Sequence, residues 1–304
     1  MESLKTRVGR GEIVLADGAI GSLLLARGLE RGAAPESLNL ERPQVLEEIA
    51  RLYLEAGAEI VQTNTFGASP LKLANYALAD RAAEINAGAV RAVRKAVGDR
   101  AYVSASCGPS GRLLLPYGDT AENDMFDSFL QQMKALVGAG VDAVCVETMT
   151  DIREATLAVR AARSLSADLT VMATMTFEAT SRGFFTIMGV SVETACRELE
   201  NAGADLVGSN CGNGSARMAA IAREFKKHAK RPLLIQPNAG VPELRRGQVL
   251  YPETPEFMAG MVGELLESGA SIIGGCCGTT PDHTRAMRAA LDAELARRHG
   301  HPQA

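Results

Sequence analysis

One pattern occurs four times along the chain and constrains its fold more than any other feature. In each copy an amphipathic segment ends in a small residue and a glycine, and a short apolar run follows: EAGAEIVQTNTF, GAGVDAVCVETM, NAGADLVGSNCG and ESGASIIGGCCG. The glycines are Gly57, Gly140, Gly203 and Gly269, and each stands where the residue after a helix commonly adopts the left-handed conformation. The pattern therefore predicts four helices that each end at a glycine and lead directly into a strand.

Four further apolar runs raise the expected number of strands to eight. They are EIVLADG, AYVSASCG, LTVMATMT and PLLIQPNAG, and helical patterns separate them. Continuous apolar runs are typical of parallel strands that are buried on both faces. We predict an α/β fold, a (β/α)₈ TIM barrel in a single domain. A doubly wound open sheet is the alternative; it explains the alternation but not the count of eight, and no GxGxxG follows the first strand.

The domain boundaries follow from the absence of any linker-like or low-complexity stretch. We expect one domain over residues 1–304, with loose termini at 1–10 and 296–304. The net charge of −4 gives no electrostatic footprint for nucleic acid. The N-terminus lacks the apolar core of a signal peptide, and no apolar run is long enough to span a bilayer. We therefore expect a cytoplasmic protein with reduced cysteines and with neither a nucleic-acid nor a membrane partner.

Polar residues recur at the same distance from the four repeated glycines. Seven and eight residues after them lie Asn64, Thr65, Glu147, Thr148, Asn210, Cys211, Cys276 and Cys277. Cys211 and Cys277 thus share one offset, just past the end of a strand, and Glu147 occupies the adjacent offset. The carboxyl ends of barrel strands form one rim, where active sites are built. These side chains are therefore predicted to meet at one mouth of the barrel.

Cys211, Cys276 and Cys277 together predict a metal site. Three protein ligands with one open position are typical of a catalytic zinc, whereas a structural zinc is usually closed by four. Burial in the core is the alternative for any free cysteine, and it is our interpretation of Cys145 and Cys196. A disulfide between neighbouring cysteines would be strained. An iron–sulfur cluster also suits three thiolates, but its usual closely spaced ligand run is missing.

A zinc ion on three thiolates favours sulfur chemistry. Its negative surroundings make it a poor Lewis acid for water but suit a substrate thiol, which metal coordination deprotonates. The expected reaction is alkyl transfer to sulfur. Hydrolysis, the competing metal reaction, normally needs a nearby base, and three of the four histidines lie away from any rim motif. The other, His283, is better explained as part of a helix start with Thr280 as N-cap and Pro281 at the first position.

Two acidic residues at strand ends indicate which kind of thiol the substrate is. Asp17 follows the apolar run IVLA, and Glu147 ends an otherwise apolar strand. Each is explained equally simply as a surface acid or a helix N-cap. In the functional interpretation both bind a substrate ammonium, while backbone N–H groups of the turn from Gly18 to Ser22 bind its carboxylate. That combination predicts an amino-acid thiol as the substrate.

The motifs resemble those of a known family. ADGAIGSLL, PESLNLERP, EAGAEIVQTNTFGAS, VETMTD, GSNCG and GGCCGTTPDH are similar, in this order, to motifs of the homocysteine S-methyltransferase family, over residues 11–290. The string is most similar to the homocysteine-binding module of cobalamin-dependent methionine synthase. The resemblance implies a (β/α)₈ barrel, zinc on the three cysteines and homocysteine as methyl acceptor. It also implies that Asp17 and Glu147 contact the amino group and that Asn64, in the NTF motif, lines the same mouth.

The methyl donor is expected to come from another molecule. The sequence ends after one barrel and carries no folate-binding, cobalamin or reactivation domain, so we expect methylcobalamin, or another methylcorrinoid, on a separate corrinoid protein. Betaine is disfavoured because a quaternary ammonium calls for an aromatic cage, and the chain has no Trp and five Tyr. S-methylmethionine and S-adenosylmethionine stay open as donors. Another thiol as acceptor, or a zinc- or thiol-binding protein without turnover, are the remaining alternatives.

One segment departs from the methionine synthase pattern. TFEATSRGFFTIMGVS has Phe184, Phe185, Ile187 and Met188 where that module more commonly has a short polar segment. We expect the Phe184–Met188 loop at the rim after the fifth strand. Core packing, a docking surface and a changed substrate are the open explanations.

Overall fold

The protein is an eight-stranded parallel barrel, as predicted. A computed structural model describes residues 1–30, 32–245 and 248–299. Its strands are β1 (Val14–Leu15), β2 (Ile60–Gln62), β3 (Tyr102–Cys107), β4 (Ala143–Met149), β5 (Thr170–Met175), β6 (Glu178–Thr180), β7 (Gly183–Phe185), β8 (Leu206–Asn210), β9 (Leu233–Gln236), β10 (Glu243–Arg245), β11 (Gln248–Leu250) and β12 (Ala270–Ile273). The barrel runs in the order β1-β12-β9-β8-β5-β4-β3-β2. A parallel bridge between Ala16 and Ile60 joins its two ends, which excludes the open sheet.

Helices surround the barrel and return the chain from one strand to the next. They are α1 (Leu4–Gly9), α2 (Gly21–Ala26), α3 (Leu38–Glu41), α4 (Pro43–Glu55), α5 (Pro70–Leu73), α6 (Ala82–Val97), α7 (Glu122–Gly138), α8 (Ile152–Arg163), α9 (Val192–Ala202), α10 (Ser215–His228), α11 (Pro255–Gly260), α12 (Val262–Glu267) and α13 (Pro281–His299). Short 3₁₀ turns occupy Pro35–Ser37, Ala74–Tyr76 and Ala79–Arg81. In the described part of the chain, none of these helices is long and apolar enough to cross a membrane.

The four repeated glycines have the predicted conformation. Their φ angles are 96° at Gly57, 91° at Gly140, 107° at Gly203 and 101° at Gly269. Only glycine adopts this region without a steric cost, so each helix can end and the chain can turn directly into a strand. The common turn is why residues at one offset from these glycines reach the same end of the barrel.

The N-terminal segment differs from the expectation of a loose terminus. Residues 4–9 form α1, whose Leu4 and Val8 are buried in the cluster that fills the barrel interior. The Lys5 backbone N–H donates to Thr170 Oγ1 at 3.3 Å, which places α1 at the amino ends of the strands. Two apolar residues four apart share one helix face, and here that face closes the base of the barrel. At the other terminus α13 continues to His299, and residues 300–304 lie outside the described residues.

The Phe184–Met188 loop begins in β7, which forms a hairpin with β6 directly after the fifth barrel strand, and continues beyond the end of β7. Phe184 packs against the core between the helices and the barrel. Ile187 is 76% exposed and Met188 is 41% exposed. Core packing therefore explains one end of this loop, and the other end presents apolar surface.

The predicted start of the last helix is confirmed. Helix α13 begins at Pro281, and the backbone N–H of Thr280 donates to Nδ1 of His283 at 3.1 Å. Nε2 of the same ring lies 3.0 Å from the Glu253 carbonyl oxygen, so it carries the proton and donates. His283 is thus a buried neutral side chain that holds the helix start. Cys145 in β4 and Cys196 in α9 are buried, as expected for core cysteines.

Candidate zinc and substrate site

The barrel brings the three predicted thiols together. Cys211 follows β8, and Cys276 and Cys277 follow β12. One sulfur from each lies within 4.8 Å of the others, and Cys211 Sγ is 3.8 Å from Cys277 Sγ. Hydrogen bonds from Cys211 and Cys276 lower the pKa of Cys277, and the same contacts raise the pKa of Cys276, so the three thiols titrate together. The trio is half-buried at the carboxyl end of the barrel.

The sulfur spacing fits zinc. Tetrahedral Zn–S bonds of about 2.3 Å place two ligand sulfurs about 3.8 Å apart. The distance between Cys211 and Cys277 agrees with that value. It is far longer than a disulfide bond, and all three cysteines are free. Cys211, Cys276 and Cys277 are therefore the residues that could hold the ion.

The backbone is strained at two matching positions. Thr148 has φ 59° and Cys211 has φ 61°, and both lie eight residues after a repeated glycine. Positive φ is rare for residues other than glycine and persists only where the surroundings hold it. The Thr148 N–H donates to Asn210 Oδ1 and Asn210 Nδ2 donates to Thr148 Oγ1, both at 2.8 Å. This turn brings Glu147, Thr148 and Cys211 into the wall of one cleft.

Glu147 is buried at the bottom of that cleft. Its Oε1 accepts from Ser106 Oγ at 2.5 Å and from Gln62 Nε2 at 3.2 Å, and its Oε2 accepts from Asn210 Nδ2 at 3.1 Å. Burial, with a smaller contribution from the nearby Cys211 thiol, raises the pKa of Glu147 to about 7. A neighbouring cation would relieve this cost and favour the carboxylate.

Asp17 is completely buried and only half-satisfied. Its Oδ2 accepts from the Gln62 N–H at 2.8 Å, whereas its Oδ1 has no hydrogen-bond partner among the described residues. Burial raises the pKa of Asp17 to about 8, and the charge of Glu147 adds to the shift. Asp17 lines a small cavity beside the cleft, and Gln62 and Asn64 line both spaces. A buried acceptor without a donor suits a ligand that brings a donor.

Asn64 lines the cleft, but its side-chain amide nitrogen is already hydrogen-bonded to other residues of the protein. Nδ2 donates to the Pro35 carbonyl oxygen at 2.7 Å and to Asn39 Oδ1 at 2.9 Å. Asn39 Nδ2 in turn donates to the Asn64 carbonyl oxygen at 2.8 Å. Glu36 Oε1 accepts from the Gly67 N–H at 2.7 Å in the same region. These bonds join the loop after β2 to the 35–39 segment. Asn64 therefore stabilises the wall of the cleft.

The cleft is open and has an apolar rim. Its volume is about 570 Å³, and Gly18, Glu147 and the three cysteines line it. Exposed side chains of Leu25, Phe66 and Val249 form the rim. The Phe184–Met188 loop lies outside this lining. The three thiols and the adjacent acid line one cleft whose rim is apolar.

Several contributing residues were missed by the sequence analysis. Ser106, Gln62 and Thr279 carry hydrogen bonds of the site, and Tyr251 lies at the cleft beside Gly278, where a Cβ would overlap its ring. Burial and the nearby Cys277 raise the pKa of Tyr251 to about 12. Asn210, by contrast, shares the offset of Glu147 from a repeated glycine, so the register already assigns it to this rim.

Comparison with known proteins agrees with these features. The family model described as homocysteine S-methyltransferase matches residues 14–291. A methionine synthase of Mycobacterium leprae (strain TN) is 35% identical, over 96% of this chain and 25% of that protein. A methionine synthase of Mycobacterium tuberculosis is 35% identical, over 92% of this chain and 24% of that protein. The chain thus spans about a quarter of the length of these relatives.

Solved structures share the fold. The homocysteine methyltransferase MmuM from Escherichia coli, in its metallated form, has a TM-score of 0.78 and 21% identity, over 94% of this chain and 99% of that one. A methyltransferase from Methanosarcina mazei has a TM-score of 0.61 and 14% identity, over 96% of this chain and 99% of that one. At such identities the likeness concerns the barrel alone.

Proposed function

Because this chain belongs to the homocysteine S-methyltransferase family, we propose that it transfers a methyl group to the thiol of homocysteine and so produces methionine. The observation that carries the proposal is the cluster of three sulfurs beside Glu147 in one cleft. In the reaction the homocysteine sulfur forms a bond to the methyl carbon, and the bond between that carbon and the donor breaks. The electron pair of the broken bond stays with the donor, and the thiol proton is released.

Cys211, Cys276 and Cys277 would hold a zinc ion. When bound, zinc would deprotonate a substrate thiol in its fourth position and keep the sulfur electron-rich. The 3.8 Å spacing of two of the three sulfurs supports this assignment. The glycines that flank the thiols let neighbouring side chains pack closely, because a Cβ on Gly275 would overlap Thr279 and one on Gly278 would overlap Tyr251.

Asp17 and Glu147 would bind the ammonium group of homocysteine. Asp17 has an unpartnered buried oxygen, and both carboxyl groups have a raised pKa that a bound cation would lower. Backbone N–H groups of the turn from Gly18 to Ser22 would bind the substrate carboxylate. Asn64, Ser106, Gln62 and Asn210 would hold these groups in place through the hydrogen bonds described above. These contacts orient the acceptor so that its sulfur faces the open mouth.

The donor would be a methylcorrinoid, such as methylcobalamin, presented by a corrinoid protein. The cleft is wider than homocysteine needs, and its exposed rim of Leu25, Phe66 and Val249 is apolar. Exposed apolar patches of this kind often mark partner sites. The motifs shared with cobalamin-dependent methionine synthase point the same way, and a chain without Trp is poorly equipped to cage betaine. The apolar end of the Phe184–Met188 loop would then be a secondary contact outside the cleft.

A reconstituted assay separates the candidate reactions. Zinc-loaded protein and homocysteine are mixed in turn with methylcobalamin, S-methylmethionine, S-adenosylmethionine and betaine, and methionine is measured. Methionine formed with the corrinoid supports the proposal. Turnover with a sulfonium alone would show that the donor is a sulfonium compound and would leave homocysteine as the acceptor. Absence of turnover with every donor, despite homocysteine binding, would favour a thiol-binding protein; methylation of a different thiol would replace the acceptor.

A further inference from the structure

A buried hydroxyl group joins the two sides of the site. Thr279 is fully buried, and its Oγ1 accepts from the Ala19 N–H at 3.0 Å and donates to the Cys276 carbonyl oxygen at 2.7 Å. Ala19 belongs to the loop after β1 and Cys276 to the loop after β12. One hydroxyl therefore holds both loops at once, although Ala19 and Thr279 are 260 residues apart.

The Thr279 hydroxyl group is tightly packed. A Cβ on Gly18 or on Gly275 would overlap Thr279 Oγ1, so the hydroxyl fills the space between the two loops. A second bond, from the Gly275 N–H to the Asp17 carbonyl oxygen at 2.8 Å, connects the same segments. Because interiors are close-packed, the separation of the two loops depends on what occupies this space.

The two loops carry opposite ends of the acceptor site. One holds Asp17, and the other holds Cys276 and Cys277. We propose that Thr279 is a positioning residue that sets the distance between the ammonium-binding acid and the thiols, and thereby selects an amino-acid thiol of homocysteine length. This inference rests on the proposed function. A displacement of about 1 Å in such a site can lower the rate about a hundredfold. The loss of a single bridging group can therefore have a large effect.

The test compares two thiols. Homocysteine must reach Asp17 and the three cysteines at once, whereas 1-propanethiol binds through its sulfur alone. Binding of homocysteine and of 1-propanethiol to the zinc-loaded protein is measured by calorimetry, and zinc content is measured by elemental analysis. In Thr279→Val, which keeps the shape but loses both hydrogen bonds, the Kd for homocysteine should rise about tenfold or more. The Kd for 1-propanethiol and the zinc content should stay unchanged. Thr279→Ser should retain the wild-type preference for homocysteine.

Thr280→Val is the matched control. It removes the neighbouring hydroxyl, which lies 2.9 Å from His283 Nδ1 and does not join the two loops, so the preference should persist. If Thr279→Val loses zinc, the smaller Thr279→Ala is measured, with the same expected result. Equal losses for both thiols, no loss for either, or loss of zinc from both variants would overturn the inference. Wild-type protein that binds both thiols equally would instead reject the amino-acid acceptor of the proposed function.

Discussion

Replacing Glu147 by Gln tests the recognition of the substrate amino group most directly. The change keeps the side-chain shape and removes the charge. It also replaces one acceptor oxygen by an NH₂ group in a site surrounded by donors, because Gln62 Nε2 faces Oε1 and Asn210 Nδ2 faces Oε2. The Ser106 hydroxyl and the Gln62 amide can both reverse their roles and accept, whereas Asn210 cannot, because its Oδ1 already accepts from the Thr148 N–H and from Thr174 Oγ1. The new NH₂ group can therefore be accommodated at the Oε1 position.

The magnitude follows from the lost charge-assisted contact. Such a contact contributes roughly 1.5–3 kcal/mol, which corresponds to a rise in the Kd for homocysteine of about tenfold to more than a hundredfold. An alkyl thiol without an amino group should be affected far less, since it uses only the sulfur position. The ratio of the two affinities therefore isolates the ammonium contact from any general damage to the site.

The pH dependence provides a second readout. The Glu147 carboxyl has a pKa of about 7 in the substrate-free protein, and only its ionised form attracts an ammonium group. The preference for homocysteine over 1-propanethiol should therefore increase as the pH rises through about 7. Proton release from the thiol affects both ligands and cancels in the ratio. Calorimetric titrations of the wild-type protein and of Glu147→Gln across this pH range check the expectation. A Glu147→Gln variant with an unchanged preference for homocysteine would refute the reasoning.

Three further predictions concern the metal, the buried acid and the barrel base. Alanine at Cys211, Cys276 or Cys277 should abolish stoichiometric zinc binding and turnover with the fold intact by circular dichroism; full activity of a zinc-free variant would contradict the mechanism. Asp17 has a folded pKa of about 8, above its usual value of 3.8, so the stability it contributes is fully present below pH 3.8 and is lost as the pH rises through about 8. Asp17→Asn should therefore raise the melting temperature of the substrate-free protein at about pH 8 while weakening homocysteine binding, and an unchanged or lower melting temperature would argue against a costly buried charge. Leu4→Ala should lower the free energy of unfolding by about 2–5 kcal/mol in urea titrations if α1 closes the barrel, and by a few tenths if the terminus is loose.

The strand count and the thiol register could be predicted from the sequence because both are local properties. Apolar runs of strand length identify the strands, and the glycine before four of them identifies where the preceding helix ends. A constant offset from each glycine then assigns residues to the carboxyl rim, since successive units of the barrel share one geometry. Cys211, Cys277 and Glu147 were found by this counting, and the structure brings all three to one cleft.

Other features depended on residues that no local pattern connects. The bridge made by Thr279, the unpartnered oxygen of Asp17 and the closure of the barrel by α1 arise from contacts between distant segments. The amide of Asn64 is likewise committed to the 35–39 segment, which a motif cannot reveal. Hydrogen bonding and close packing act between atoms that folding brings together. The partners of these polar groups are therefore determined by the tertiary structure and not by any local sequence pattern.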